Sequence, residues 1–86
     1  MFYVYVLKSE KDKKLYVGFT SDLKRRLKEH NNGFSISTKN RRPFSLLYYE
    51  AYLSKEDAEK REFKLKKFKN SYTELKKRLS NSLTKL

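Results

Sequence analysis

Six consecutive residues near the start of the chain, Phe2, Tyr3, Val4, Tyr5, Val6 and Leu7, are all apolar or aromatic. A β-branched and aromatic run of that length has no polar side to turn to water, so it reads as a strand covered on both faces. In 86 residues that strand sets the fold: neighbouring strands must flank it, and helices must cover the sheet. A chain this short buries only roughly 60–65% of the surface it exposes when unfolded. One domain, residues 1–79, is therefore expected, with no second module.

Residues 8–14, Lys-Ser-Glu-Lys-Asp-Lys-Lys, are polar throughout and read as a turn, and residues 15–19 as a second strand. A hairpin centred on residues 10–11 would set Tyr5 and Tyr16 nearly opposite each other. Thr20, Ser21 and Asp22 offer caps for a helix over residues 22–31, and Asn31-Asn32-Gly33 ends it, with Gly33 suited to a left-handed position. A Ser, Thr and Arg-rich loop over 34–43 leads to a third strand at 45–52. Ser54 caps a helix over 55–68, and a further helix restarts at Asn70 or Ser71 and runs to Leu79. Residues 80–86 are expected to fray. The order ββαβαα predicts an α+β fold with a three-stranded antiparallel sheet flanked by helices.

Charge narrows the partners. Twenty-two Lys and Arg face ten Asp and Glu, a net charge of +12, and the excess is +6 in residues 1–54 and +6 in residues 55–86. Charge so distributed repels itself unless it meets a polyanion. Nucleic acid is the first candidate, because phosphate neutralisation dominates its binding; an anionic membrane is the second, and a merely soluble basic protein is the third. With no cysteine, neither a disulfide-linked partner nor a thiolate zinc site is available. The apolar run at the start is too short for a signal peptide or a membrane span, so the cytoplasm is the expected compartment.

Helical spacing exposes polar residues on apolar stripes. Leu23, Arg26, Leu27 and His30 stand at i, i+3, i+4 and i+7, the row a helix turns toward its sheet. Arg26 either snorkels from the edge of that row or serves a site; His30 is either a capping histidine near the helix end or a functional one. In the second helix Ala58, Glu62, Leu65 and Phe68 or Lys69 share one row, which places a carboxylate among apolar groups. Such a carboxylate must be paired, metal-bound or at the rim; an ion pair with Arg26 is the structural alternative. Of the tyrosines in the strands, Tyr16 stands two residues before Gly18, whose missing side chain admits either a ligand or a packing neighbour. Tyrosine, arginine, histidine and a carboxylate together suit phosphodiester hydrolysis: a base for water, a cation for the phosphate and a carboxylate for a metal ion.

These residues resemble the GIY-YIG nuclease superfamily. Its two tripeptides are similar to Tyr3-Val4-Tyr5 and Tyr16-Val17-Gly18, with the second tyrosine eleven positions after the first. Arg26 lies ten positions past Tyr16, His30 follows one turn later, and Glu62 falls on the helix after the third strand, as the superfamily pattern expects. Arg41-Arg42-Pro43-Phe44 looks like its small stand-alone bacterial members. The resemblance implies a metal-dependent endonuclease acting on nucleic acid, DNA first, in repair or recombination. It implies Tyr16 as general base or water-orienting partner, Arg26 on the scissile phosphate, His30 in proton transfer or phosphate contact, and Tyr5 as support. Glu62 is implied as the ligand of one Mg²⁺ or Mn²⁺.

Three features depart from the pattern: Tyr3 replaces the first motif's glycine, Asn70 is the one match for a late phosphate-side asparagine, and no added DNA-binding domain supplies sequence specificity. Lys39, Arg41 and Arg42 in the loop, with Lys60, Lys64 and Lys67 on the second helix, are the candidate nucleic-acid contacts. Two other readings stay open: a non-catalytic nucleic-acid-binding module on the same scaffold, and an interaction protein with an acidic partner.

Overall fold

The architecture is taken from a computed structural model that describes residues 1–85. The apolar run forms β1 (Phe2–Ser9), and it is the middle strand of an antiparallel sheet between β2 (Leu15–Thr20) and β3 (Phe44–Tyr52). Val4, Tyr5, Val6 and Leu7 are all at most 2% exposed, as an unbroken apolar strand requires. Helices α1 (Leu23–Asn31), α2 (Lys55–Lys67), α3 (Lys69–Arg78) and α4 (Ser80–Lys85) supply the cover, and a short 3₁₀ turn occupies Lys39–Arg41.

The pleat sorts β1 into two cores. Val4 and Val6, with Val17, pack on Ala58 and Leu65 of α2, Leu75 of α3 and Leu79. Tyr5 and Leu7, with Phe44, pack on Leu23 and Leu27 of α1. Each fully buried aliphatic side chain contributes about 1.5–3 kcal/mol. A bulge shifts the register so that Val6 faces Tyr48 while Leu7 faces Leu46, which leaves Leu47 as the extra residue of β3.

The hairpin register differs from the expected one: Tyr5 faces Gly18, and Tyr16 faces Leu7. The turn sets this. Ser9 Oγ accepts from the Lys11 and Asp12 amides at 3.1 Å each, Lys13 takes a left-handed φ of 62°, and the Ser9 amide donates to Lys14 O at 3.0 Å. A four-residue loop centred between residues 11 and 12 moves the partner of Tyr16 along by two residues, from Tyr5 to Leu7. Tyr5 and Tyr16 then share a face as diagonal neighbours.

The helix ends follow their local chemistry. The Asp22 carboxylate accepts from the Arg25 amide at 3.1 Å and Gly33 takes φ +79° just past α1, the conformation in which a missing Cβ matters. Asn31 brackets the Phe44 peptide, donating to its carbonyl at 3.0 Å and accepting from its amide at 2.6 Å, which ties α1 to the start of β3. Of the tail residues 80–86, Ser80–Lys85 form α4, where Leu83 packs beside buried Leu79 on the α2 side of the sheet, and residue 86 lies outside the described residues. Lys8 Nζ also donates to the Leu83 carbonyl at 3.2 Å.

Candidate active site

The site is built outward from Gly18. The Tyr5 ring leaves the central strand and crosses the backbone of edge strand β2 at that residue. A Cβ on Gly18 would lie 2.2 Å from the Tyr5 hydroxyl and 2.3 Å from its Cζ. The glycine is therefore an opening for a tyrosine, the packing alternative of the two the sequence left. Across it the Tyr5 hydroxyl reaches His30 Nε2 at 2.8 Å, and His30 Nδ1 meets Thr38 Oγ1 at 2.7 Å. His30 is fully buried, and both ring nitrogens are committed.

Burial sets the protonation of this chain of contacts. It pulls His30 down to about 4, helped by the positive Arg26 nearby, so the imidazole is neutral at pH 7. Burial likewise pushes the Tyr5 hydroxyl up to about 12, opposed by a hydrogen bond from Arg26. Tyr5 therefore stays protonated, with the Arg26 guanidinium close to its oxygen.

The remaining groups gather around that pair. The Tyr16 ring stands 5.1 Å from the His30 ring and 6.5 Å from the Tyr5 ring, and its hydroxyl is 3.5 Å from Ser37 Oγ. Lys66 of α2 reaches over the Tyr16 ring at 5.7 Å and pairs with Glu62 at 3.0 Å. Glu62 and Tyr16 both bear electrostatically on the Tyr5 hydroxyl. Arg26 pairs with Glu29 at 3.1 Å, so the alternative of an Arg26–Glu62 pair is not realised: each charge finds its partner one turn away on its own helix. Tyr5, Tyr16, Arg26, His30 and Glu62 thus share one seam, where β2 meets α1 on one side and α2 on the other.

The basic residues divide differently. Arg41 is held in the scaffold by Asp12 at 2.7 Å and lies over the Phe44 ring at 5.5 Å. Lys39 is exposed, and Arg42, also exposed, donates to the Lys39 carbonyl at 2.8 Å. Lys60, Lys64 and Lys67 are exposed and, at about 100° per residue, fall on the side of α2 opposite Ala58 and Leu65, away from Glu62. Asn70 is exposed in the first turn of α3. Tyr3 packs edge-on against Tyr49 at 5.9 Å and lines a separate apolar cleft with Leu23, Leu27 and Leu46.

Residues 1–80 match the model of the GIY-YIG catalytic domain. The chain belongs to the GIY-YIG family. Within it, the protein is similar to a UPF0213 protein of Clostridium perfringens, 46% identical over 68 residues, 78% of this chain and 72% of that one. A UPF0213 protein of Streptococcus pyogenes serotype M5 is 52% identical over 68 residues, 78% and 73% of the two chains. The solution structure of a UPF0213 protein from Bacillus halodurans superposes with a TM-score of 0.54 at 36% identity, over 87% of this chain and 81% of that one. The chain is thus a small GIY-YIG protein of the UPF0213 kind.

Three site residues of this GIY-YIG domain escaped the sequence: Thr38, Ser37 and Lys66. The first two lie in a loop, which has no period to read. Lys66 had a signal, since Glu62 and Lys66 form an i, i+4 acid–base pair.

Proposed function

We propose that this protein is a metal-dependent nuclease that hydrolyses nucleic-acid phosphodiester bonds, with DNA as the first substrate to test and the cytoplasm as its compartment. Among the described residues no helix is long and apolar enough to cross a membrane. One observation carries the proposal: the Tyr16 phenol of β2 and the Arg26 guanidinium of α1 lie beside one buried Tyr5–His30 pair, and the Glu62 carboxylate of α2 acts electrostatically on the Tyr5 hydroxyl. Family membership adds to it.

In this reading Tyr16 is the general base or orients the attacking water, since its hydroxyl lies in an exposed contact with the Ser37 hydroxyl at 3.5 Å. Arg26 binds the scissile phosphate and offsets the charge that grows on it. His30, neutral and with both nitrogens engaged, holds Tyr5 in place. Tyr5 in turn sets the position of Arg26.

The carboxylate suits the expected metal by its donor chemistry. Among the described residues no three His, Cys, Asp or Glu side chains cluster; in this reading the protein would hold the ion through Glu62. Mg²⁺ is commonly held by one or two carboxylates, waters and substrate phosphate oxygens. When bound, Mg²⁺ or Mn²⁺ would stabilise the charge of the departing oxygen.

The test is a panel of labelled DNA and RNA structures incubated with Mn²⁺ or with EDTA. Wild-type protein is expected to cut in Mn²⁺ only, and Glu62→Ala to keep its fold and lose cleavage. Cleavage that survives the joint loss of Tyr16, Arg26 and Glu62 overturns the assignment. Salt-sensitive binding without turnover replaces it with a non-catalytic binding module.

A further inference from the structure

The loop after α1 is built inside out. In Phe34-Ser35-Ile36-Ser37-Thr38 two of the three polar residues, Ser35 and Thr38, point inward, while Ser37 and both apolar residues are exposed. Ser35 is 8% exposed and Thr38 fully buried, while Phe34 is 73% and Ile36 94% exposed. The segment is also held firmly. The Phe34 amide donates to Glu29 O at 3.0 Å, the Lys39 amide to Ser35 O at 2.9 Å, Ser35 Oγ meets Ser37 Oγ at 3.1 Å, and Thr38 is fixed to His30. Among the described residues nothing covers the two apolar side chains, although burying them would be favourable.

Their position gives this exposure a use. Ile36 adjoins Ser37, whose hydroxyl stands 3.5 Å from that of Tyr16. Exposed Lys39 follows in the same loop, and Arg42 lies over Gly33 just before it, close enough to meet a Cβ there. Apolar side chains between cations beside a phosphodiester site match a nucleotide: the cations take its phosphates, and the apolar tip takes the face of a base. A paired base shows only its edge, so the base must be unstacked. Apolar wedges and aromatic platforms make such contacts in other nucleic-acid-binding proteins.

We propose that Phe34 and Ile36 form a specificity-determining wedge that engages an unstacked base next to the scissile phosphate, which selects nucleic acid with unpaired nucleotides over intact duplex. This deepens the nuclease reading and rests on it for the place of the scissile bond. Its test needs no turnover. Binding of wild-type protein, in EDTA and low salt, is measured by fluorescence anisotropy on a 20-base-pair DNA duplex and on the same duplex carrying a two-nucleotide bulge. Tighter binding of the bulged DNA by about tenfold is expected.

The Phe34→Ser, Ile36→Ser double variant changes only exposed side chains, and circular dichroism checks its fold. It should lose the preference while binding intact duplex as wild type does. Lys39→Ala with Arg42→Ala should weaken both DNAs alike. Equal binding of the two DNAs by wild type, or a preference that survives in the double variant, overturns the wedge. So does a wild-type dimer in sedimentation that the double variant abolishes, because the apolar tips then face a second copy. A preference for bulged DNA without Mn²⁺-dependent cleavage leaves the wedge standing and removes only the nuclease assignment.

Discussion

Replacing Gly18 with alanine tests the packing on which the whole site rests. The added methyl would lie 2.2 Å from the Tyr5 hydroxyl, 2.3 Å from Cζ and 2.8 Å from Cε1, so the neighbour that must move is the rigid end of a ring at most 2% exposed. Overpacking of a filled core costs about 1–3 kcal/mol. A displaced ring also leaves His30 Nε2 without its 2.8 Å partner, and an unsatisfied buried polar atom costs about 1–3 kcal/mol more. The expected loss is about 2–6 kcal/mol, a large part of the roughly 5–15 kcal/mol such a domain holds. Urea unfolding followed by circular dichroism measures it, with sulfate present to keep a folded baseline. A double-mutant cycle gives the decisive number. Where Tyr5→Leu has already removed the ring, Gly18→Ala should cost less than about 0.5 kcal/mol. Equal costs in the two backgrounds refute the opposition of Tyr5 and Gly18. Tyr5→Phe is the control that should not relieve the clash, because Cζ remains.

Protonation of His30 should weaken the fold in a defined window. Its value is about 4 in the fold against about 6.5 unfolded, so stability is full above pH 6.5, falls as pH drops toward 4 and is flat below; the loss is up to about 3 kcal/mol, read as the urea midpoint against pH, and His30→Asn should remove that slope. Glu50→Ala should cost about 2–3 kcal/mol in the same assay. It strips the acceptor from Tyr48 at 2.8 Å, from Tyr52, and from Arg61 at 3.0 Å; a loss under 0.5 kcal/mol would show that water replaces it. In DNA binding, Lys39→Ala should lower the slope of log K against log salt by about 0.9. Arg41→Ala should leave that slope unchanged and reduce stability instead, since Asp12 and the Phe44 ring hold its guanidinium.

The elements were legible where side-chain period alone decides them. The Phe2–Leu7 run forced a doubly covered strand, and the spacing of Leu23, Arg26, Leu27 and His30 picked out four of the less exposed residues of α1. Register was not legible, because it depends on one left-handed residue, Lys13, in a polar turn where lysine carries no signal for that conformation. The helix in the tail was not legible for a related reason. Residues 80–86 look polar as a set, yet Leu79 and Leu83 sit at i and i+4, enough to dock α4 once α2 and α3 provide a surface.

The candidate site shows the same division. Glu62 and Arg26 were visible as charges on apolar rows, but their ion-pair partners were not, because a row says which way a side chain points and nothing of who competes for it. Local competition won in both cases: Glu29 and Lys66 are closer along their helices than Arg26 and Glu62 are across the fold. That outcome suits a phosphate site better than the pair it displaced. A buried Arg26–Glu62 bridge would have to be broken for either group to meet substrate, at the cost of an uncompensated charge. Pairs with partly exposed neighbours on the same helix are worth only about 0.3–0.5 kcal/mol and give way readily. The network around Glu50 makes the contrast. Tyr48 and Tyr52 flank it at i−2 and i+2 on one face of β3, a period-two signal, and Arg61 closes it from α2. A carboxylate satisfied three times over has no capacity left for a ligand, whereas Glu62, held by a single exposed lysine, does.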